Sequence, residues 1–421
     1  MQSNNLLILI KAKLNILIYR AIGSDLIILA IQKQLKMKLF ILYLLSFSCL
    51  GVVGQTKIPV INANTKNAKI YEEGNSVKGW GIDPDVPLDT YVTGKFSTTK
   101  LVKFKTDRDS ISFRVKPGSY YDFIVLLNGK DSCLTRIQAR EKKDYRASNL
   151  KFSDSIPFFV NKFNTNLVNV VLNNTDTLKM NFDTGATEFS LLNSVIEKKL
   201  KSSPKLYNTF HNIQVGRRNY SSKIYDTQNV GDQADGLMGW DLFDGLIVEL
   251  NYDKNLMIIH SKLPKTASKR SGFSKFSINY INDKPFIESK FAQDGITNKS
   301  WFLFDLGYQR TIILDRDLLQ ASQFPVNKMK VIRKAMLHGT HNNEIPVITA
   351  NLSKLQLGPF VLNDVPAQLL EQNKPMPGIN IHILGNDVLK RFNTFLDFQN
   401  DVIYLKPNKS YGVEYADQKK S

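Results

Sequence analysis

The sequence predicts a mostly β protein built from a duplicated unit, with a smaller β-sandwich in front of it. Three observations carry that prediction. Apolar and polar residues alternate with period two over many short runs, turn residues punctuate the runs, and one block recurs near the end of the chain at a constant offset. The 421 residues are enough for two or three domains, and 43% hydrophobic with 22% charged residues is a globular composition that needs no disulfide to complete a core.

Residues 37–54 read as a secretory signal peptide. Met37-Lys38 is the short basic start, residues 39–45 are the apolar centre, and the small residues at 51–54 offer a cut after Gly54. The natural start is expected at Met37, which leaves 1–36 as an upstream extension whose apolar runs are broken by Lys11, Lys13 and Arg20. The alternative is an N-terminus anchored in a membrane, for which an apolar core this short is marginal. Lipidation at Cys49 is a weaker reading, because Ser46 stands where an aliphatic residue is wanted. Cys49 and Cys133 are the two cysteines; with Cys49 leaving in the signal, no intramolecular disulfide is expected. Export to a periplasm, an outer surface or the medium is the expected location.

Net charge is +18, which raises the question of nucleic acid. The lysines are scattered in small groups, such as Lys198-Lys199-Lys201 and the Lys419-Lys420 tail, with no interleaved aromatic platform. A solvated basic surface is therefore expected, suited to association with an anionic cell surface and not to nucleic acid. A monomer is expected.

Residues 55–150 form the predicted sandwich. Runs at 101–105 and 110–115 alternate with period two, Pro117-Gly118 turns, 122–127 is a strand, and Asn128-Gly129 turns again. No recognisable chemistry sits there, so a binding module, a prosegment and a structural appendage all remain open. A charged, aperiodic linker is placed at 141–152.

The duplicated unit occupies 155–262 and 272–408, with a basic linker between and a polar tail at 409–421. In the first copy, a strand at 169–172, a turn at Asn173-Asn174 and a strand at 178–182 lead into Asp183-Thr184-Gly185-Ala186 and then Leu191-Leu192. The second copy runs 285–287, Asp294-Gly295, 301–304, Asp305-Leu306-Gly307 and 312–314. Further on, Gly239, Asp241, Leu250 and Leu256 match Gly385, Asp387, Leu396 and Val402 at one offset. Each copy thus delivers an acid from the end of a strand, where burial is costly without partners.

This pattern resembles the aspartic proteases, retropepsin-like enzymes in the two-lobed, pepsin-like arrangement of exported bacterial proteins, over roughly residues 155–408. The resemblance implies a peptidase that cuts polypeptide substrates, with Asp183 and Asp305 as the catalytic pair. It also implies that Leu237-Met238-Gly239 and Ile383-Leu384-Gly385 thread beneath the two loops, and that Thr184 hydrogen-bonds across the lobe interface. Leu306 departs from the pattern, because the second loop lacks the hydroxyl. A catalytically silent, peptide-binding protein on the same fold is the rival reading.

The residue types also make chemical sense on their own. Two carboxylates within hydrogen-bond distance hold one proton between them over a range of pH, so one can act as base while the other acts as acid, without metal or cofactor. Gly185 and Gly307 permit the close approach this needs. In strongly acid-active members of the family that the chain resembles, a Ser or Thr after each glycine hydrogen-bonds the anion; Ala186 and Tyr308 stand there in this sequence, so the resemblance implies a raised pair and an optimum in mildly acidic to near-neutral conditions. A covering flap is expected at the hairpin of residues 213–220, with Gly216 at its turn. Tyr220 is either a substrate contact or an ordinary hairpin tyrosine. His338 and His341 have no accompanying zinc helix and are expected to be loop histidines. No Gly-x-Ser-x-Gly elbow or phosphate-binding loop occurs.

Overall fold

Two-residue turns and alternating strands account for most of the architecture. The computed structural model describes residues 58–96, 98–141, 151–338, 344–371, 374–375 and 379–418. The signal and upstream segments with Cys49, most of the linker at 141–152, residues 339–343 with His341, and the last three residues lie outside the described residues. From Val60 onward the chain forms one compact unit.

Two four-stranded sheets come first. One has the order Val60–Ala63, Tyr120–Leu127, Asp131–Gln138, Asp89–Val92; the other runs Asn75–Gly81, Asn67–Glu72, Lys100–Lys105, Ser110–Val115. Their apolar positions share one core that includes Ile70, Phe104, Phe123, Val125 and Ile137, with Phe104 and Phe123 edge to face at 5.1 Å. Each such side chain contributes about 1.5–3 kcal/mol on full burial. Cys133 lies in this core as a free thiol.

Next come two six-stranded barrels with the same connectivity. In the first, Asn166–Leu172 pairs antiparallel with Asp176–Asp183, which runs parallel to Gly236–Gly239. That strand pairs with Phe189–Leu192, which runs parallel to Arg218–Thr227, and the hairpin partner Phe210–Val215 closes the ring on Asn166–Leu172. The second barrel repeats each step with Lys284–Gln293, Ile296–Phe304, His382–Leu384, Ile312–Leu314, Phe360–Leu370 and Glu344–Leu357. Asp294 and Gly295 both take positive φ in the tight turn that joins its first two strands.

A six-stranded sheet joins the barrels, in the order Ser153–Val160, Leu256–His260, Ile247–Asn251, Phe392–Asp397, Val402–Pro407, Ser274–Ser277. At its centre Glu249 faces Phe395, which is its own counterpart at the offset that relates Gly239 to Gly385. A duplicated strand paired with its own copy in antiparallel register is what a local two-fold axis requires. One large core cluster draws side chains from both barrels, Phe182, Phe304, Leu306 and Phe392 among them, while Phe286, Leu303, Ile313 and Ile383 of the second barrel form a smaller cluster of their own. Among the described residues no helix is long and apolar enough to cross a membrane.

Candidate active site

Asp183 is the last residue of the strand Asp176–Asp183, and Asp305 follows Ile296–Phe304 directly. Equivalent strands of the two barrels therefore deliver the two acids, and the amide of Asp305 is pinned to the Leu384 carbonyl at 2.9 Å. Asp183 is only 8% exposed. The two carboxyls hydrogen-bond one another.

Backbone amides hold each acid in place. Gly185 donates to Asp183 Oδ1 at 2.7 Å, while Gly307 and Tyr308 both donate to Asp305 Oδ1 at 2.9 Å. Each glycine also lies against the acid of the other barrel. A Cβ on Gly185 would stand 2.7 Å from the Asp305 carboxyl atoms, and one on Gly307 would overlap the Asp183 carboxyl. Contacts that close exclude any side chain, so glycine is required on both sides. Beneath the loops, a Cβ on Gly239 would meet the Glu188 amide at 2.5 Å, and one on Gly385 would strike Arg310 and Tyr308.

Thr184 is fully buried and links the two loops. Its hydroxyl donates to the Phe304 carbonyl and accepts from the Leu306 amide at 3.0 Å. Leu306 is 1% exposed and packs into the main core. The hydroxyl link therefore comes from the first loop, and the second loop contributes apolar packing in its place.

Burial pushes the Asp183 carboxyl up, with the nearby Lys284 ammonium pulling it back. Burial, and then the negative charge of Asp183, push Asp305 well above the usual carboxylate range. The pair as a unit therefore holds a proton to higher pH than a lone exposed carboxylate would. The side chains that follow the glycines do nothing to offset this. Ala186 has no hydroxyl to offer, and the Tyr308 hydroxyl is buried without a hydrogen bond.

Lys284 is a site residue that the sequence reading missed. Its ammonium donates to the Gly185 carbonyl and lowers the pKa of both acids. The hairpin register places it opposite Asp305, since Phe286 faces Leu303.

The hairpin expected as a flap is present but stands elsewhere. Phe210–Val215 is used to close the first barrel, and its turn rests on the strand Ser153–Val160. There a Cβ on Gly216 would touch Asp154 and Ile156 at 2.7 Å, and Arg217 bonds to the Asp154 carboxylate through its amide at 2.8 Å. The Tyr220 ring packs edge-on against Phe243 at 5.3 Å, and Phe243 packs on Phe182. These contacts correct the expectation of a flap over the acids at Gly216, and of the two readings of Tyr220 they leave the hairpin tyrosine packed on the barrel. His338, expected in a loop, ends the strand Lys330–His338, which pairs with Glu344–Leu357, and its carbonyl accepts from the Asn229 side chain at 3.0 Å.

A buried pair that shares one proton can accept a proton at one oxygen and release one from the other. No protein-family model and no curated protein matches the chain. Among solved structures, the chain is similar to the aspartic proteinase from Irpex lacteus at 13% identity, over 62% of this chain and 99% of that one, with a TM-score of 0.42.

Proposed function

We propose that the protein is an aspartic endopeptidase of two-lobed, pepsin-like build, each barrel being one lobe and residues 60–140 a sandwich domain in front. The observation that carries this reading is the reciprocal packing of Gly185 on Asp305 and Gly307 on Asp183, which brings two acids into one proton-sharing pair. A water held between them loses a proton to Asp183 as its oxygen attacks the peptide carbonyl carbon, while Asp305 protonates the carbonyl oxygen. The tetrahedral diol then collapses. Asp183 passes its proton to the leaving nitrogen, the C–N bond breaks, and Asp305 recovers its proton from a diol hydroxyl. Unfolded or extended polypeptide is the substrate class, and the protein acts outside the cell after export.

Replacing Asp183 by Asn is expected to abolish cleavage of an unfolded protein while the circular dichroism spectrum is unchanged. Cleavage at the wild-type rate would remove the pair from the mechanism. A wild-type protein that binds peptides but leaves them intact at every pH tested would be the silent binder, for which the absent hydroxyl at Leu306 is the motivating observation.

Lys284 gives a second test. Its positive charge favours both anions, so Lys284→Met is expected to raise the pKa of each acid and move both limbs of the kcat/KM profile to higher pH. Lys284→Arg keeps the charge and is expected to stay near the wild-type profile. Limbs that do not move in the Met variant would show that Lys284 serves only to hold the Gly185 carbonyl.

A further inference from the structure

We propose that Arg140, in the segment ahead of the barrels, is a positioning residue for the acid pair: its ion pair with Asp283 fixes the turn from which Lys284 reaches the Gly185 carbonyl. Residues 60–140 then work in the active enzyme and are not a prosegment that activation sheds. This deepens the peptidase reading above and rests on it.

Lys284 is the first residue after a two-residue turn. The short strand Asn279–Ile281 pairs with Lys284–Gln293 through Ile281 opposite Lys284, which leaves Asn282 and Asp283 as the turn, both at positive φ. Neither is glycine, so contacts from outside the hairpin have to hold them there. Those contacts fall on Asp283. Trp240, beside the first barrel's Gly239, donates to its carbonyl at 2.9 Å, the Lys95 amide donates to its Oδ1 at 3.0 Å, and Arg140 ion-pairs with its Oδ2. Gly94 lies so close that a Cβ there would stand 3.1 Å from the Asp283 Cβ.

Arg140 bears on the turn from a fixed base. Its amide donates to the Thr93 hydroxyl and its guanidinium to the Thr93 carbonyl, both at 3.3 Å, which joins it to the stretch that carries Gly94 and Lys95. The Lys95 ammonium reaches Asp244 at 2.8 Å and Asp401 at 2.9 Å, and donates to the Phe398 carbonyl at 3.2 Å. Phe398 and Asp401 lie in the turn between Phe392–Asp397 and Val402–Pro407 of the joining sheet. The side chains of Lys95, Arg140 and Asp283 are all less than a fifth exposed, at 18%, 17% and 15%.

The surrounding charges make this one ion pair consequential. Glu72 and Asp244 face Asp283 with its own sign, Asp241 and Asp244 face Arg140, and Lys284 faces Asp183 and Asp305. Burial pushes the Asp283 carboxyl up, and the Arg140 guanidinium pulls it back. Breaking a buried pair by removing one partner leaves the other charge uncompensated. Asp283 would then leave its seat, and the next residue along the chain is Lys284, whose ammonium must stay on the Gly185 carbonyl to act on both acids.

Arg140→Met and Asp283→Asn cut the pair from opposite ends in the full chain. The second keeps the fold testable, because Arg140 also reaches Asp244 at 3.7 Å and no buried charge is stranded. Both are expected to move the two limbs of the kcat/KM profile to higher pH, as Lys284→Met does, and to lower kcat/KM at the wild-type optimum by about 10–100-fold, the scale of a ~1 Å misplacement. Charge alone predicts the opposite for Asp283→Asn, since removing a negative charge favours the two anions and lowers the limbs. In a Lys284→Met background neither substitution is expected to raise the limbs further, and Arg140→Lys is expected to stay closer to the wild type than Arg140→Met. Arg136→Met, which breaks a pair with Asp122 inside the front segment, controls for lost stability and is expected to leave the limbs in place. Limbs that stay or fall in Asp283→Asn, or that still rise in the Lys284→Met background, overturn the inference. Wild-type protein that cleaves nothing overturns the peptidase reading alone. Carbon-13 NMR titration of the aspartate carboxyl carbons, assigned with Asp183→Asn, then reads the same upward shift without turnover, and an unmoved midpoint in Asp283→Asn overturns the inference there too.

Discussion

Asp305→Asn is expected to lose cleavage by about 10²–10⁴-fold or more, the usual contribution of a positioned proton donor, and at the same time to become more stable than the wild type at neutral pH. The second effect follows from the sign of the pKa shift. Asp305 is pushed well above its unfolded value of 3.8 by burial and by the charge of Asp183, so the folded state binds the proton more tightly than the unfolded chain. Stability contributed by that proton is fully present below the unfolded pKa and declines as pH rises through the folded pKa. The amide cannot ionise, so the variant escapes the decline. Its Tm is expected to match that of the wild type in acid and to exceed it progressively toward neutral pH. Raised groups away from the pair, such as Asp283, titrate in both proteins and cancel in the difference. A constant Tm difference from acid to neutral would contradict the buried, proton-sharing pair.

Much of this geometry is legible from residue order. The acids fall at equivalent strand ends because the chain repeats its strands, and the offset that matches Gly239 to Gly385 also sets the central register in which Glu249 meets Phe395. Lys284 was within reach of the same counting. With Asp294-Gly295 as a two-residue turn and Gln293 facing Ile296, the strand run backwards places Lys284 opposite Asp305.

The position of the first hairpin was less accessible. Between Leu192 and Gly236 the sequence has strands for one hairpin, and a local pattern cannot say whether that hairpin covers a cleft or completes a barrel. Pairing between Val215 and Val170 decides it, and that pairing is long-range. Ion pairs such as Lys78 with Glu188 and Arg140 with Asp283 join residues more than a hundred positions apart, and no periodicity announces them.

Thr184→Val is expected to be among the most damaging conservative substitutions in the protein. Valine has nearly the same shape, so packing is preserved and the loss is confined to two hydrogen bonds. The Leu306 amide and the Phe304 carbonyl would each lose a partner in a place where Thr184 is 0% exposed. Each stranded group costs about 1–3 kcal/mol, a large fraction of the ~5–15 kcal/mol that holds a domain folded. The same bonds lock the two acid loops together, so activity is expected to fall with stability, while Thr184→Ser keeps both. Restoring the second hydroxyl with Leu306→Thr is not expected to help. A new hydrogen bond returns about 0.5–1.5 kcal/mol, but Leu306 is 1% exposed, and removing its buried apolar surface forfeits about 1.5–3 kcal/mol before any cavity is counted. Urea midpoints are therefore expected in the order wild type, Leu306→Thr, Thr184→Val. A Leu306→Thr protein more stable than the wild type would mean that the second loop is short of a hydrogen bond after all; the expected order would make its leucine a different, apolar means of closing the same interface.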